Sequence, residues 1–112
     1  MLFRSASDLE RINTSLERRG IRFAVQTYPP IRHSMHNEAA NTPLRAFARS
    51  HPEVALLDTH EHLVARFERA PNLGEEFYSE DPRDFHLGAL GYGLVARQVY
   101  DELLAKGWLG QK

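Results

Sequence analysis

The stretch Asp81-Pro82-Arg83-Asp84-Phe85-His86-Leu87-Gly88-Ala89-Leu90-Gly91-Tyr92-Gly93-Leu94-Val95-Ala96 puts an acid and a histidine at the end of a long loop, just before a glycine-containing helix start. The chemistry that wants this pair is nucleophile activation. An imidazole takes the proton of a hydroxyl, while a carboxylate on its other nitrogen fixes the tautomer and stabilises the cation. In an extended segment, residues two apart face the same side, so Asp84 can reach the ring of His86. The same spacing fits a plainer role, with Asp84 and His86 capping the last helix where acids are favoured anyway.

A second constellation is Asp58-Thr59-His60-Glu61-His62-Leu63, directly after an apolar run. It resembles the opening metal motif of the amidohydrolase and TatD-like metal-dependent hydrolases, in which two histidines one residue apart ligate zinc or a similar ion. Imidazoles so spaced at a strand's end can share one metal. Those enzymes, however, build a barrel of about 250 residues with further ligands on later strands. Here His86 is the only later histidine. The competing expectation for His60 and His62 is a solvated helix start, and it is preferred. His33 and His36 flank Ser34-Met35 and are expected as exposed loop residues. No metal and no cofactor is therefore assigned.

The elements that must hold these groups follow from periodicity and punctuation. Ser7 and Glu10 have capping-box spacing ahead of a helix whose face is Leu9, Ile12 and Leu16, with Gly20 as its stop. Ile21, Phe23 and Val25 alternate, which predicts a strand over 21–27 closed by Tyr28-Pro29-Pro30. Residues 31–41 read as a polar loop. Thr42-Pro43 then resembles an N-cap and first helical position, opening a helix to about Arg49 with Leu44 and Phe47 inward. Val54-Ala55-Leu56-Leu57 is a continuous apolar run, as in a strand buried on both faces of a parallel sheet.

A short helix carrying Leu63, Val64 and Phe67 follows, then a long acidic loop over 71–85. Phe77 and Tyr78 in that loop suit either a pocket beside His86 or an anchor to the core. The last helix spans roughly 87–106, its apolar face built from Leu94, Val95, Val99, Leu103 and Leu104. Gly107 ends it, and Trp108-Leu109 fold back on it. Strands alternating with helices predict an α/β class with parallel strands. Two strands make a poor sheet, which leaves room for a partner chain to complete it.

Composition bounds the rest. A chain of 112 residues with 42% hydrophobic and 26% charged content suits a single domain over 1–112 with a real core. The net charge of −1 is interleaved, so no basic stripe exists for nucleic acid. The absence of cysteine removes disulfides, thiolate metal sites and a cysteine nucleophile. Met1-Leu2-Phe3-Arg4-Ser5 soon meets Asp8, Glu10 and Arg11, and no apolar run nears the ~20 residues of a membrane span. The expectation is a cytoplasmic protein without a membrane or nucleic-acid partner.

His86-Leu87, Gly91-Tyr92 and Ala96 resemble the last block of the SGNH/GDSL hydrolase superfamily, in which an acid and the catalytic histidine precede a small-residue helix of the form His-Leu-x-x-x-Gly-Tyr-x-x-x-Ala. Arg22-Phe23-Ala24-Val25-Gln26-Thr27-Tyr28-Pro29-Pro30 is similar to that family's late strand, and Val54-Ala55-Leu56-Leu57-Asp58 to the next one, which commonly ends in Asp. The resemblance runs from about residue 8 onward and implies a partial three-layer α/β/α (SGNH/flavodoxin-like) fold. It implies His86 as general base and Asp84 as its orienting acid. In complete relatives the substrate would be a small-molecule, lipid or carbohydrate ester. The family usually has its acid three residues before the histidine, where Arg83 stands. Asp84 is the replacement, at a spacing seen in some SGNH-like acetyltransferases, and Asp81 the reserve. The family's Gly-Asp-Ser nucleophile block and its Gly-x-Asn-Asp block have no counterpart here. Ser5, Ser7, Ser15, Ser34, Ser50 and Ser79 all lack that context. The isolated chain is thus expected to be inactive.

Overall fold

The computed structural model describes residues 2–110. The elements are helix α1 (Leu2–Arg18), strand β1 (Ala24–Gln26), helix α2 (Glu38–Ser50), strand β2 (Ala55–Leu57), helix α3 (Thr59–Phe67), a 3₁₀ segment (Pro71–Phe77) and helix α4 (Ala89–Ala105). β1 and β2 pair in parallel, with Ala24 opposite Ala55 and Gln26 opposite Leu57. The protein is therefore mixed α/β with a small parallel sheet. Among the described residues no helix is long and apolar enough to cross a membrane.

The chain divides into two compact units, Met1–Tyr28 with Asn37–Asp58 and Pro29–His36 with Thr59–Lys112. In the first unit, Val25, Phe47 and Val54 form a buried cluster, lined by Leu9, Phe23, Ala48 and Leu56. The ladder is short. It is closed at its ends by Ala55 N–H donating to Phe23 O at 3.0 Å and Thr27 N–H to Leu57 O at 3.1 Å. At the carboxyl ends of both strands, Asp58 accepts two bonds from Arg45 at 2.9 Å and one from Thr27 at 3.0 Å. Asn41 is fully buried and takes the place of a third strand for Tyr28. Its Oδ1 accepts the Tyr28 N–H at 2.7 Å and its amide donates to the Tyr28 carbonyl at 3.0 Å.

Several local expectations change. α1 begins upstream of Ser7, because nothing in Leu2-Phe3-Arg4-Ser5-Ala6 breaks a helix; Ser7 lies in the helix interior and caps nothing. Its inner face keeps Leu9 and Leu16, but Asn13 takes the place expected for Ile12. Asn13 is buried and donates to Glu53 at 2.9 Å, whereas Ile12 is exposed. β1 is shorter than 21–27, since ladder forms only where β2 lies alongside, and Ile21 is left exposed. α2 starts at Glu38, so Thr42-Pro43 is not its start and Pro43 sits inside it. Proline there forfeits one backbone bond near the helix N-terminus. The two bonds of Asn41 to Tyr28 hold the preceding turn in place.

In the second unit, Leu63, Phe67, Phe77, Tyr78 and Leu87 are the core, with Met35, Ala70, Leu94 and Val95 packed on it. The Phe67 and Phe77 rings stack with centroids 5.2 Å apart. Phe77 and Tyr78 thus anchor the acidic loop to the core. The 3₁₀ segment reverses sharply through Asn72, Leu73 and Gly74, all with positive φ. Gly74 is required there: a Cβ would lie 2.4 Å from the Phe67 ring. α4 starts at Ala89, because Leu87 is occupied in an antiparallel bridge with Tyr78. It ends as expected at Gly107 (φ +73), where the Trp108 N–H donates to Leu103 O at 3.0 Å.

Candidate active site

The second unit carries the candidate site. Residues 77–79 and 86–88 run antiparallel, with Ser79 N–H donating to His86 O and Gly88 N–H to Phe77 O, both at 2.9 Å. This short ribbon needs close backbone approach. A Cβ on Gly88 would lie 2.8 Å from the Tyr78 carbonyl oxygen, and one on Gly91 2.3 Å from that of Phe77. The glycines of the motif therefore let the start of α4 close onto the loop that presents His86.

Between the ribbon's arms, Asp81-Pro82-Arg83-Asp84 forms a β-turn, with the Asp84 N–H donating to Asp81 O at 2.9 Å. Proline suits its second position. The two acids of the turn are used differently. The Asp81 carboxylate accepts from the Arg83 N–H at 3.0 Å and from its guanidinium at 3.2 and 3.3 Å. Those bonds, the guanidinium first, hold its pKa below the ordinary carboxylate range. Asp84 turns to the histidine. Its Oδ1 accepts the His86 N–H at 3.0 Å and meets His86 Nδ1 at 2.6 Å. The first of these is an Asx-turn bond. The pair is thus joined by a local turn rather than by strand alternation.

Protonation follows from these contacts. The His86 backbone N–H, then its ring, pull the Asp84 pKa below its ordinary value, with the Ser79 hydroxyl adding to them. An ionised carboxylate only accepts. His86 Nδ1 therefore carries a proton, and in the neutral ring Nε2 presents its lone pair. The His86 side chain is 83% exposed and that of Asp84 39%. Among the described residues no hydrogen-bond partner lies against Nε2. The arrangement can accept a proton from a hydroxyl brought to Nε2, and its tautomer is already set for that.

A third layer beneath the turn has no signal in the sequence pattern. Arg32 and Glu75 fall in stretches that read only as polar loop. Arg32 is 5% exposed. Its guanidinium donates to Glu75 Oε1 through Nε at 2.8 Å and through a second, short bond, and to the carbonyls of Asp81 at 2.9 Å and Asp84 at 2.6 Å. Glu75 is held below its ordinary pKa by Arg32, and Arg32 is raised in return. Tyr78 lies under the guanidinium, 5.5 Å from ring centroid to Cζ, and donates to Pro30 O at 2.6 Å. Burial pushes its phenol up to about 12.

The other histidines do not converge. His60 is buried and His62 exposed, both within α3. Two residues apart on a helix, they point to different sides. Among the described residues no group of three or more His, Cys, Asp or Glu could hold a metal ion. His33 is an exposed loop residue with its Nδ1 3.7 Å from Glu75, and His36 is exposed too. No family model, no curated protein and no solved structure matches the chain.

Proposed function

We propose that the chain is an SGNH/GDSL-hydrolase-like protein, a partial three-layer α/β/α domain of the cytoplasm related to enzymes that hydrolyse or transfer ester-linked acyl groups. His86 is the general base and Asp84 orients it. The single observation that carries this reading is the Asp84 Oδ1–His86 Nδ1 contact of 2.6 Å, with Asp81 committed to Arg83 and Nε2 left open. A hydroxyl held at Nε2 would lose its proton to the ring as it attacks an acyl carbon. Asp84 would then stabilise the imidazolium. The sequence holds no Gly-Asp-Ser block to supply that hydroxyl. Losing the nucleophile of a triad removes roughly 10⁶-fold in kcat, so the chain alone has no appreciable esterase activity. A second reading, a non-enzymatic interaction module, is favoured by the apolar exposure beside the pair: Phe85 and Leu90 are each 60% exposed.

Diethyl pyrocarbonate tests the base directly, because it reports the nucleophilicity of Nε2 without needing a complete enzyme. His86 is expected to be carbethoxylated several-fold faster than His62, also an exposed ring, and Asp84→Ala should bring the two rates together. Equal rates in the wild-type chain would leave His86 as an ordinary helix-start residue. Steady turnover of p-nitrophenyl acetate that His86→Ala abolishes would instead reveal a nucleophile within the chain.

A further inference from the structure

We infer that Arg32 is a positioning residue for the Asp84–His86 pair, setting the ring's tautomer through the backbone of the turn that carries both. The inference rests on the reading of His86 as a base. Arg32 touches neither carboxylate of the turn. Its Nη1 donates to two main-chain oxygens, Asp81 O and Asp84 O. The first oxygen also closes the β-turn by accepting the Asp84 N–H. The second belongs to the peptide that leads from Asp84 toward His86. Fixing that peptide plane fixes where the His86 N–H and ring fall relative to Oδ1 of Asp84, which accepts from both.

A planar guanidinium suits this task. Nη1 and Nε lie on one rigid fork, so the bonds to Glu75 and those to the carbonyls define a single plane. The Tyr78 ring supports one side of that plane, and its hydroxyl is tied to Pro30, two residues before Arg32. Glu75 balances the charge. An uncompensated guanidinium below the loop would disfavour the imidazolium that a base must become. With Glu75 paired to it, Arg32 contributes geometry to the site without that penalty.

The test is ¹⁵N NMR of the imidazoles in the full chain, in alkaline buffer where histidine rings are neutral. Wild type is expected to hold His86 as the Nδ1–H tautomer, and Asp84→Ala to abolish that preference. Arg32→Gln should lose most of it although Asp84 is still present and the Phe67 and Leu63 core signals are those of a folded chain. A purely structural arginine would change the folded fraction but not the tautomer of the folded molecules. A folded Arg32→Gln chain with the wild-type tautomer overturns the inference. If Arg32→Gln does not fold, Arg32→Lys decides. An ammonium cannot serve Glu75 and both carbonyls in one plane, so an intermediate tautomer ratio is expected, and a wild-type ratio overturns the inference. An Nδ1–H preference that survives Asp84→Ala marks a different failure, that of the Asp84–His86 pair itself.

Discussion

His51 and His86 each meet an acid, yet the two regions use the same pair of residue types for opposite ends. His51 Nδ1 bonds the Phe47 carbonyl at 2.9 Å, and its Nε2 meets Glu10 at 3.1 Å. Carbonyl and carboxylate both accept, so the ring satisfies both only by donating from both nitrogens. The cation is favoured, and the pKa is raised, with the Phe47 carbonyl as the largest cause. The ring also stacks on Phe47, centroids 4.3 Å apart, and only 18% of the side chain is exposed. His86 has one nitrogen committed to an acid and the other open to solvent. A histidine with both nitrogens occupied is a structural cation, and one with a single occupied nitrogen is equipped to take a proton. Partner count on the ring, more than proximity of an acid, separates the two.

The regions also differ in what holds them, and this sets the largest expected effect. The His51 ring is kept by the Phe47 carbonyl and ring and by Glu10, whereas the arm that carries His86 is closed by backbone approaching backbone at Gly88 and Gly91. Gly91→Ala puts a Cβ 2.3 Å from the Phe77 carbonyl oxygen, which cannot swing aside as a side chain tip would. The variant is expected to lose about 3 kcal/mol of unfolding free energy, at the upper end of overpacking costs. Gly93→Ala is the control, since nothing lies within 4 Å of its Cβ. In a helix that change should gain roughly 0.5–1 kcal/mol. Urea unfolding of both variants checks the pair, and equal shifts of the same sign would remove the close-approach argument.

A smaller effect separates the two histidines by pH. The folded pKa of His51 lies above its ordinary 6.5. Its contribution to stability is therefore full below the unfolded value and fades as pH rises through the folded one. The stability difference between wild type and His51→Ala should therefore be largest below pH 6.5 and shrink over the range above it, as the ring loses its second proton. A difference that stays constant across that range would mean that the ring is held by Phe47 stacking alone.

Much of this site was legible because it is local. Asp84 and His86 are two residues apart, and the loop-to-helix boundary before Gly88 and Gly91 stands in the residue types. The parallel pair β1–β2 was legible from the alternation at Phe23 and Val25 and the apolar run at 54–57. Arg32 was not legible, because its partners lie 43 to 52 residues away and no periodicity links a polar loop to them. Pro43 misled for the reverse reason. It is a strong local signal for a helix start, outweighed by the Asn41 contacts with Tyr28, which no local pattern encodes. The burial of Asn13 in place of Ile12 has the same origin, since its partner Glu53 is 40 residues on.

The smallest effect is expected at Asp81, and it sharpens which acid serves His86. Asp81 contributes to the turn twice, by different groups. Its main-chain oxygen accepts from the Asp84 N–H and from Arg32, while its carboxylate accepts only from Arg83 among the described residues. Asp81→Ala keeps the first set and removes the second. Arg83 is 89% exposed, so the lost ion pair is a solvated one of little worth. The Asp81 pKa is lowered, so whatever stability the carboxylate adds is present above its ordinary value of 3.8 and lost as pH falls through the lowered one. At neutral pH the variant should therefore unfold almost as wild type does, and at strongly acid pH the two should coincide. Its His86 ring should remain the Nδ1–H tautomer in ¹⁵N spectra, because Asp84, Arg32 and the turn carbonyl are all intact. If Asp81→Ala shifts the tautomer as far as Asp84→Ala does, the orienting acid is Asp81, and the 2.6 Å contact of Asp84 is a helix-start bond that happens to include an imidazole.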